Sequence, residues 1–193
     1  MRTVIPKNAR LVPPESKRVF RGEIYDVYQW PQKMYDGSTA TFEMLKRPDT
    51  IVVMGIDRDK IIVLEERQPN TDWFYGLPGG RHDYDAETEL EAAKREMLEE
   101  TGVTFKNWRL VSVTQSHGKI DWFLYLFVAW DLSGVHEQHL DSGEQVKVLR
   151  LGLSEIKELI TNPKTRWLPQ EILESAHSVQ DLVDLPEFEG KPA

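Results

Sequence analysis

The chain contains no cysteine, which excludes a disulfide framework, a zinc–thiolate site and a thiol nucleophile together. It also lacks a basic surplus: 24 lysines and arginines face 32 aspartates and glutamates, a formal net charge of −8. A general nucleic-acid or membrane-surface binder needs a cationic footprint, so neither partner is expected. An anionic substrate would have to be drawn in by local charge or by a metal. No apolar run approaches the roughly 20 residues that span a bilayer, and the stretch from Phe123 to Trp130 is among the longest. The opening residues, MRTVIPKNARLVPPESKR, hold no apolar core of a secretory leader. A cytoplasmic protein is the expectation. Internal repeats and low-complexity segments are absent too. With 193 residues and 40% hydrophobic content, residues 1–193 suit one domain with one sizeable core.

What is present centres on Leu77 to Val103, LPGGRHDYDAETELEAAKREMLEETGV. The pattern predicts a strand end, a glycine turn and one helix that stops at Gly102. At about 100° per residue, Leu90, Ala93 and Met97 form an apolar stripe and Glu96, Glu99 and Glu100 fill the adjoining sector. Asp83, Asp85, Glu87 and Glu89 sit at the helix N-terminus, where the macrodipole favours acids. Glu96, Glu99 and Glu100 sit at the opposite end, where it disfavours them, and Glu96 with Glu100 is a like-charge i,i+4 pair. Helix propensity alone does not place carboxylates there, whereas a hard divalent cation reverses the penalty, since Mg²⁺ and Mn²⁺ take oxygen ligands. Solvated surface glutamates and a metal site both remain open on helix physics.

The spacing adds a resemblance. Glu87, seven residues, then Arg95-Glu96-Met97-Leu98-Glu99-Glu100-Thr101-Gly102-Val103 resembles the signature of the Nudix hydrolases, G-x5-E-x7-R-E-U-x-E-E-x-G-U. This sequence departs from it at one point: six residues, RHDYDA, separate Gly80 from Glu87 where the family has five. The resemblance implies that Glu96 and Glu100 are the main metal ligands and that Glu99 is a further ligand or orients a water. It implies that Gly79 offers a backbone carbonyl to the metal, and that Gly80, Glu87, Arg95 and Gly102 are structural.

Along the chain, residues 1–18 read as a surface arm and residues 19–46 as an N-terminal hairpin. Its strands are Glu23 to Trp30 and Thr39 to Lys46, with Pro31 suiting a strand end or sheet edge. Trp30 can stack on a nucleobase or fill a core or dimer contact. A core over 50–185 opens with a second hairpin, Thr50 to Ile56 and Lys60 to Glu66, whose near-continuous apolar strands are expected to be buried on both faces. Arg67-Gln68-Pro69 resembles the R-Q segment of Nudix enzymes acting on ADP-ribose, which makes Arg67 a candidate substrate contact. Many of those enzymes carry an acid before the Leu-Pro, and here that position is Gly76. Strands at Trp108 to Gln115 and Ile120 to Asp131 flank Ser116-His117-Gly118-Lys119, which resembles the S-P-G turn of ADP-ribose pyrophosphatases with histidine in place of proline. His117 there either touches phosphate or turns the chain.

The loop 133–144, SGVHEQHLDSGE, holds two histidines and three acids. His136 and His139 lack a third nitrogen ligand and read as solvated loop. In related ADP-ribose enzymes a loop here supplies a glutamate base, which makes Glu144 the first choice ahead of Glu137 and Asp141. A strand over Gln145 to Leu151 follows, then a helix capped by Ser154 and a second one from Leu168 to Leu182. The expected fold is α/β (α+β), a Nudix-like mixed sheet between helices.

These readings converge on metal-dependent hydrolysis of a phosphoric anhydride, with ADP-ribose or a nucleotide sugar as first substrate and a nucleoside monophosphate plus a sugar phosphate as products. Mg²⁺ or Mn²⁺ would be the cofactor, Glu99 and Glu144 the catalytic carboxylates. A dinucleoside polyphosphate or nucleoside triphosphate hydrolase is the alternative with the same motif, and a non-catalytic nucleotide sensor the alternative of another class. The aromatic residues between Val19 and Lys46 need burial, which the core can meet in part, and the resemblance to ADP-ribose pyrophosphatases implies a homodimer in which Trp30 or a neighbour approaches the base-binding end of the site.

Overall fold

The computed structural model describes residues 2–82 and 86–193. Asp83 and Asp85, and with them half of the six-residue segment between Gly80 and Glu87, lie outside the described residues. The N-terminal region supplies β1 (Val4–Ile5), β2 (Lys17–Arg21), β3 (Asp26–Lys33) and β4 (Thr39–Lys46). Then come β5 (Asp49–Asp57), β6 (Lys60–Arg67), β7 (Phe74–Gly76), β8 (Arg81–His82), α1 (Glu89–Thr101), β9 (Val103–Thr114), β10 (Ile120–Asp121), β11 (Leu124–Val135) and β12 (Gln145–Leu151). The chain closes with α2 (Leu153–Leu159), α3 (Gln170–Ser175), α4 (Val179–Val183) and β13 (Lys191–Pro192).

The main sheet runs β12-β6-β5-β11-β9, with β11 parallel to β5 and antiparallel to β9. Its central strands are apolar on both faces because both faces are covered. On β5, Ile51 and Val53 join Ala92, Ala93 and Met97 of α1, while Val52 and Met54 join Ile156, Leu173 and Leu182 of α2, α3 and α4. On β11, Tyr125, Phe127 and Ala129 pack on the α1 side and Leu124, Leu126 and Val128 on the other. The expected mixed sheet between helices is the one observed.

β5 and β6 pair only at their hairpin tip, Ile56 with Ile61 and Asp57 with Lys60. Beyond it they splay, and the chain from Phe74 to His82 enters the gap. β7 pairs with β6, after which the backbone crosses over: Val53 N–H donates to Pro78 O at 2.8 Å and Ile51 N–H to Gly80 O at 2.9 Å. Gly79 therefore lies at the centre of the sheet, facing the last turns of α1. The second sheet, β10-β4-β3-β2, contains the expected hairpin, β3 with β4, plus two further strands, β2 and β10. Pro31 sits inside β3, past the point where β2 stops pairing at Gln29, so its missing N–H faces an open edge.

Three expectations are corrected. The arm 1–18 does more than pack on the surface: Arg2 bonds Asp49 at 2.6 Å and Asp121 at 2.5 Å, and Ile5 is buried in the core. β1 pairs with β13, so the polar tail returns to the N-terminus. Leu90 is exposed, and Glu89 takes its place on the buried stripe, because Thr3 N–H and Oγ1 donate to its carboxylate at 2.5 and 2.7 Å. Finally, the helix expected from Leu168 to Leu182 is two helices. Ala176 turns extended, and Ser178 with Asp181 forms a new capping box that starts α4.

Candidate active site

α1 starts in a capping box of Thr88 with Glu91 and ends at Gly102, whose φ of 68° is the left-handed conformation glycine adopts without a Cβ penalty. Backbone carbonyls near the helix end would be orphans. The loop after β11 satisfies them: His136 N–H donates to Gly102 O at 2.7 Å, His139 N–H to Glu99 O at 2.8 Å, and the Gln138 amide to Glu100 O. That stapling carries the loop past the helix end and sets Glu144 beside the glutamates of α1.

Gly79 and Gly80 pack against those glutamates. Gly79 has φ of 156°, and a Cβ there would lie 2.1 Å from Ile51 O, so only glycine passes this close to β5. Its N–H donates to Glu100 Oε2 at 2.7 Å. A Cβ on Gly80 would lie 2.5 to 2.6 Å from the Glu96 carboxylate, so the second glycine is the floor on which Glu96 rests. Arg95 gathers the acids: Nε and Nη2 reach Glu87 at 2.8 and 3.2 Å, while Nη1 reaches Glu96 at 2.6 Å and Glu99 at 3.0 Å. It also donates to Arg81 O at 3.1 Å, tying helix to loop.

Glu96, Glu99, Glu100 and Glu144 line one cleft of about 780 Å³. Its electrostatics are those of anions short of cations. Burial pushes the Glu96 carboxyl up to about 7, with Arg95 pulling the other way and Glu99 and Glu144 adding to the rise. Burial raises Glu100 well above the usual carboxylate range, against the Gly79 N–H and together with Glu96, Glu66 and Glu144. Burial and Asp141 raise Glu144.

Among the described residues no three acidic or histidine side chains stand close enough to form a preformed cation cage; Arg95 holds Glu96 and Glu99 to itself. The donor set nevertheless fits a hard divalent cation: the acceptors are all oxygens, Glu100 is 6% exposed, and Glu96 rests on a glycine with no side chain intervening.

Residues 45–174, more than half of the chain, match the NUDIX domain. The chain belongs to the Nudix family. No curated protein matches it. The fold is similar to that of a solved protein described as an ADP compounds hydrolase, with a TM-score of 0.64 at 19% identity, covering 78% of this chain and 83% of that one. Family membership makes it a Nudix-type pyrophosphohydrolase, of a family whose members generally use divalent metal ions.

The other candidate residues are distributed unevenly about this Nudix cleft. Asp141 and His139 line it with Glu144, whereas Glu137 does not. Arg67 does not line it either. On β6, Glu66 shares a face with Ile62 and Leu64, while Arg67 shares the other with Ile61 and Val63 and is exposed because it stands at the strand end. His117 lines a separate groove with Thr41, Phe42 and Ile120 and bonds Lys119 N–H within its own turn at 3.3 Å. Trp30 is half-buried on β3, against Phe42, and donates to Gln32 at 3.1 Å. Within one chain these three are therefore not brought to the carboxylates.

Two residues absent from the candidate set are brought there. Glu66 is 8% exposed, its carboxyl pushed up to about 7 by burial, against the pull of Arg166. Arg166 itself lines the cleft. Glu66 follows the unbroken apolar run Ile61 to Leu64 near the end of its strand, where an acid gives no local signal. Arg166 had none either, because it arrives from a segment distant in sequence.

Proposed function

We propose that this Nudix enzyme hydrolyses the pyrophosphate bond of a nucleoside diphosphate linked to a second moiety, ADP-ribose or a nucleotide sugar first, to a nucleoside monophosphate and a sugar phosphate. The observation that carries this reading is the convergence of Glu96, Glu99, Glu100 and Glu144 on one cleft with Gly79 and Gly80 beneath them. Its volume lies in the range of small-molecule sites. The fold similarity to an ADP compounds hydrolase favours ADP-linked substrates.

Glu96, Glu99 and Glu100 would hold Mg²⁺ or Mn²⁺, with the Gly79 carbonyl as a further donor. Such a cation, when bound, neutralises diphosphate charge and makes a water more acidic. Gly79 N–H fixes the Glu100 carboxylate, and Arg95 fixes Glu96 and Glu99 while answering part of their mutual repulsion. Glu144, poised by burial and Asp141 above the ordinary carboxylate range, accepts the proton of the attacking water.

The active form we propose is a homodimer. Phe20, Tyr25 and Phe42 are 58%, 40% and 39% exposed in the single chain, an apolar surface suited to a two-fold contact. A substrate panel of ADP-ribose, nucleotide sugars, dinucleoside polyphosphates and nucleoside triphosphates, assayed with Mg²⁺ and with Mn²⁺ and resolved by product, tests the reading. Preferred cleavage of a triphosphate or a dinucleoside polyphosphate would overturn the substrate class, and turnover undiminished by a chelator would overturn the metal.

A further inference from the structure

Arg166 belongs to the connection between α2 and α3, yet its backbone is locked to β7. Tyr75 N–H donates to Lys164 O at 2.8 Å, Arg166 N–H donates to Tyr75 O at 2.8 Å, and Thr165 bridges Tyr75. Its guanidinium carbon lies 3.4 Å from the centroid of the Phe74 ring, so the planar group stacks on an aromatic face. Directly across the β6–β7 ladder from Phe74 stands Glu66. Gly76 passes beside the Glu66 carboxylate: a Cβ there would sit in ordinary contact, 3.4 Å from Glu66 Oε1. Backbone and ring thus fix Arg166, and the Glu66 carboxylate attracts its guanidinium from beyond ion-pair distance.

Its N–H groups remain to be used. Arg95 is committed to Glu87, Glu96 and Glu99, and Arg47 donates to Pro48 O and the Tyr25 hydroxyl. The Arg166 side chain makes no hydrogen bond and no ion pair within 4.0 Å among the described residues, and it lines the cleft that Glu99, Glu100 and Glu144 also line. A stacked, backbone-anchored guanidinium with open donors, in a cleft lined by Glu96, Glu99, Glu100, Asp141 and Glu144 as well as Arg47, Arg81 and Arg95, is built to take oxyanions. Without it, the β6 wall would show a substrate diphosphate the carboxylate of Glu66.

We propose that Arg166 binds a phosphoryl group of the substrate, stacked on Phe74, and that Glu66 is the positioning residue that holds its guanidinium in register. The proposal rests on the diphosphate reading above. Lysine would keep the charge and lose the planar fork; glutamine at 66 would keep the shape and lose the charge that orients Arg166.

The test measures binding of inorganic pyrophosphate with Ca²⁺ by calorimetry, alongside kcat and KM for ADP-ribose, for the full chain and for Arg166→Gln, Arg166→Lys and Glu66→Gln. Arg166→Gln should weaken pyrophosphate and raise KM by about 10- to 100-fold, with Mn²⁺ binding to the free enzyme unchanged. Arg166→Lys should restore part of the loss. Glu66→Gln should raise KM more than it lowers kcat, and adding it to Arg166→Gln should cost nothing further, because its partner is already gone. Unchanged pyrophosphate affinity in Arg166→Gln, or no pyrophosphate binding by the parent chain, would overturn the proposal. Should the parent fail to turn over the panel while Arg166→Gln still weakens pyrophosphate, the diphosphate reading fails and the assignment of Arg166 stands.

Discussion

Replacing Glu96 by glutamine should make the metal-free protein more stable while disabling it. Glu96 is held in a desolvated pocket, its side chain 13% exposed, and its carboxyl is pushed up from 4.5 to about 7 even with Arg95 at 2.6 Å. The folded protein therefore keeps a proton that the unfolded chain releases, and stability falls as pH rises from about 4.5 through about 7. At about 1.36 kcal/mol for each pH unit, the fully ionised carboxylate costs about 3 kcal/mol at pH 8. Glutamine mimics the neutral form and still offers Arg95 an oxygen. Near 2–4 °C for each kcal/mol in a chain of this size, the gain in Tm is roughly 6–12 °C at most.

Calorimetry of parent and Glu96→Gln across pH 5 to 8, in chelator, reads this directly. The variant should melt higher at pH 8, and the gap should shrink below about 1 kcal/mol by pH 5, where the parent carboxylate is protonated in the fold. Adding Mg²⁺ should raise the Tm of the parent and move the variant little, since a ligand stabilises only the fold that binds it. A variant that melts no higher than the parent at pH 8, or by a margin independent of pH, would refute the claim that Glu96 is an under-compensated buried anion.

Glu144→Gln should lower kcat by about 10²–10⁴ with little change in metal affinity. Because burial and Asp141 raise the Glu144 carboxyl, the parent kcat should climb with pH as that group ionises, and the variant should lose the climb. Arg95→Ala should lower both Tm and kcat, since Glu87, Glu96 and Glu99 lose one shared cation; an unaltered Tm with abolished turnover would mean direct substrate contact instead. Light scattering at micromolar concentration should give twice the chain mass of 22.4 kDa, and a fully active monomer would end the dimer proposal.

What could be read from the sequence was local. The two hairpins, the strand Gln145 to Leu151 and the helix ending at Gly102 follow from period, turn residues and caps, all within a few residues of each other. The break between α3 and α4 is also local, and Ser178 with Asp181 three residues on was its signal. The entry of Phe74 to His82 between β5 and β6, and the parallel pairing of β10 with β4, left no such trace. They are decided by which distant edges are free, a property of the assembled sheet. Arg2 is the same case at shorter range in space: its partners Asp49 and Asp121 lie 47 and 119 residues away.

The same distinction explains which site residues were found. Glu96, Glu99 and Glu100 were conspicuous because they violate helix electrostatics, and a violation is visible against a local rule. The fold answers part of it. Arg95 takes Glu96 and Glu99, Gly79 N–H takes Glu100, and the loop 136–139 takes carbonyls of the helix end. The raised carboxyls of Glu96 and Glu100 measure what is left unanswered. Glu66 and Arg166 violate nothing locally, since each answers the other across the wall of the cleft. A residue whose cost is met inside the fold is silent in sequence, and one whose cost is met by a ligand stands out. That asymmetry is why the acids of the proposed metal site stood out against helix electrostatics, while the proposed phosphate contact needed the structure.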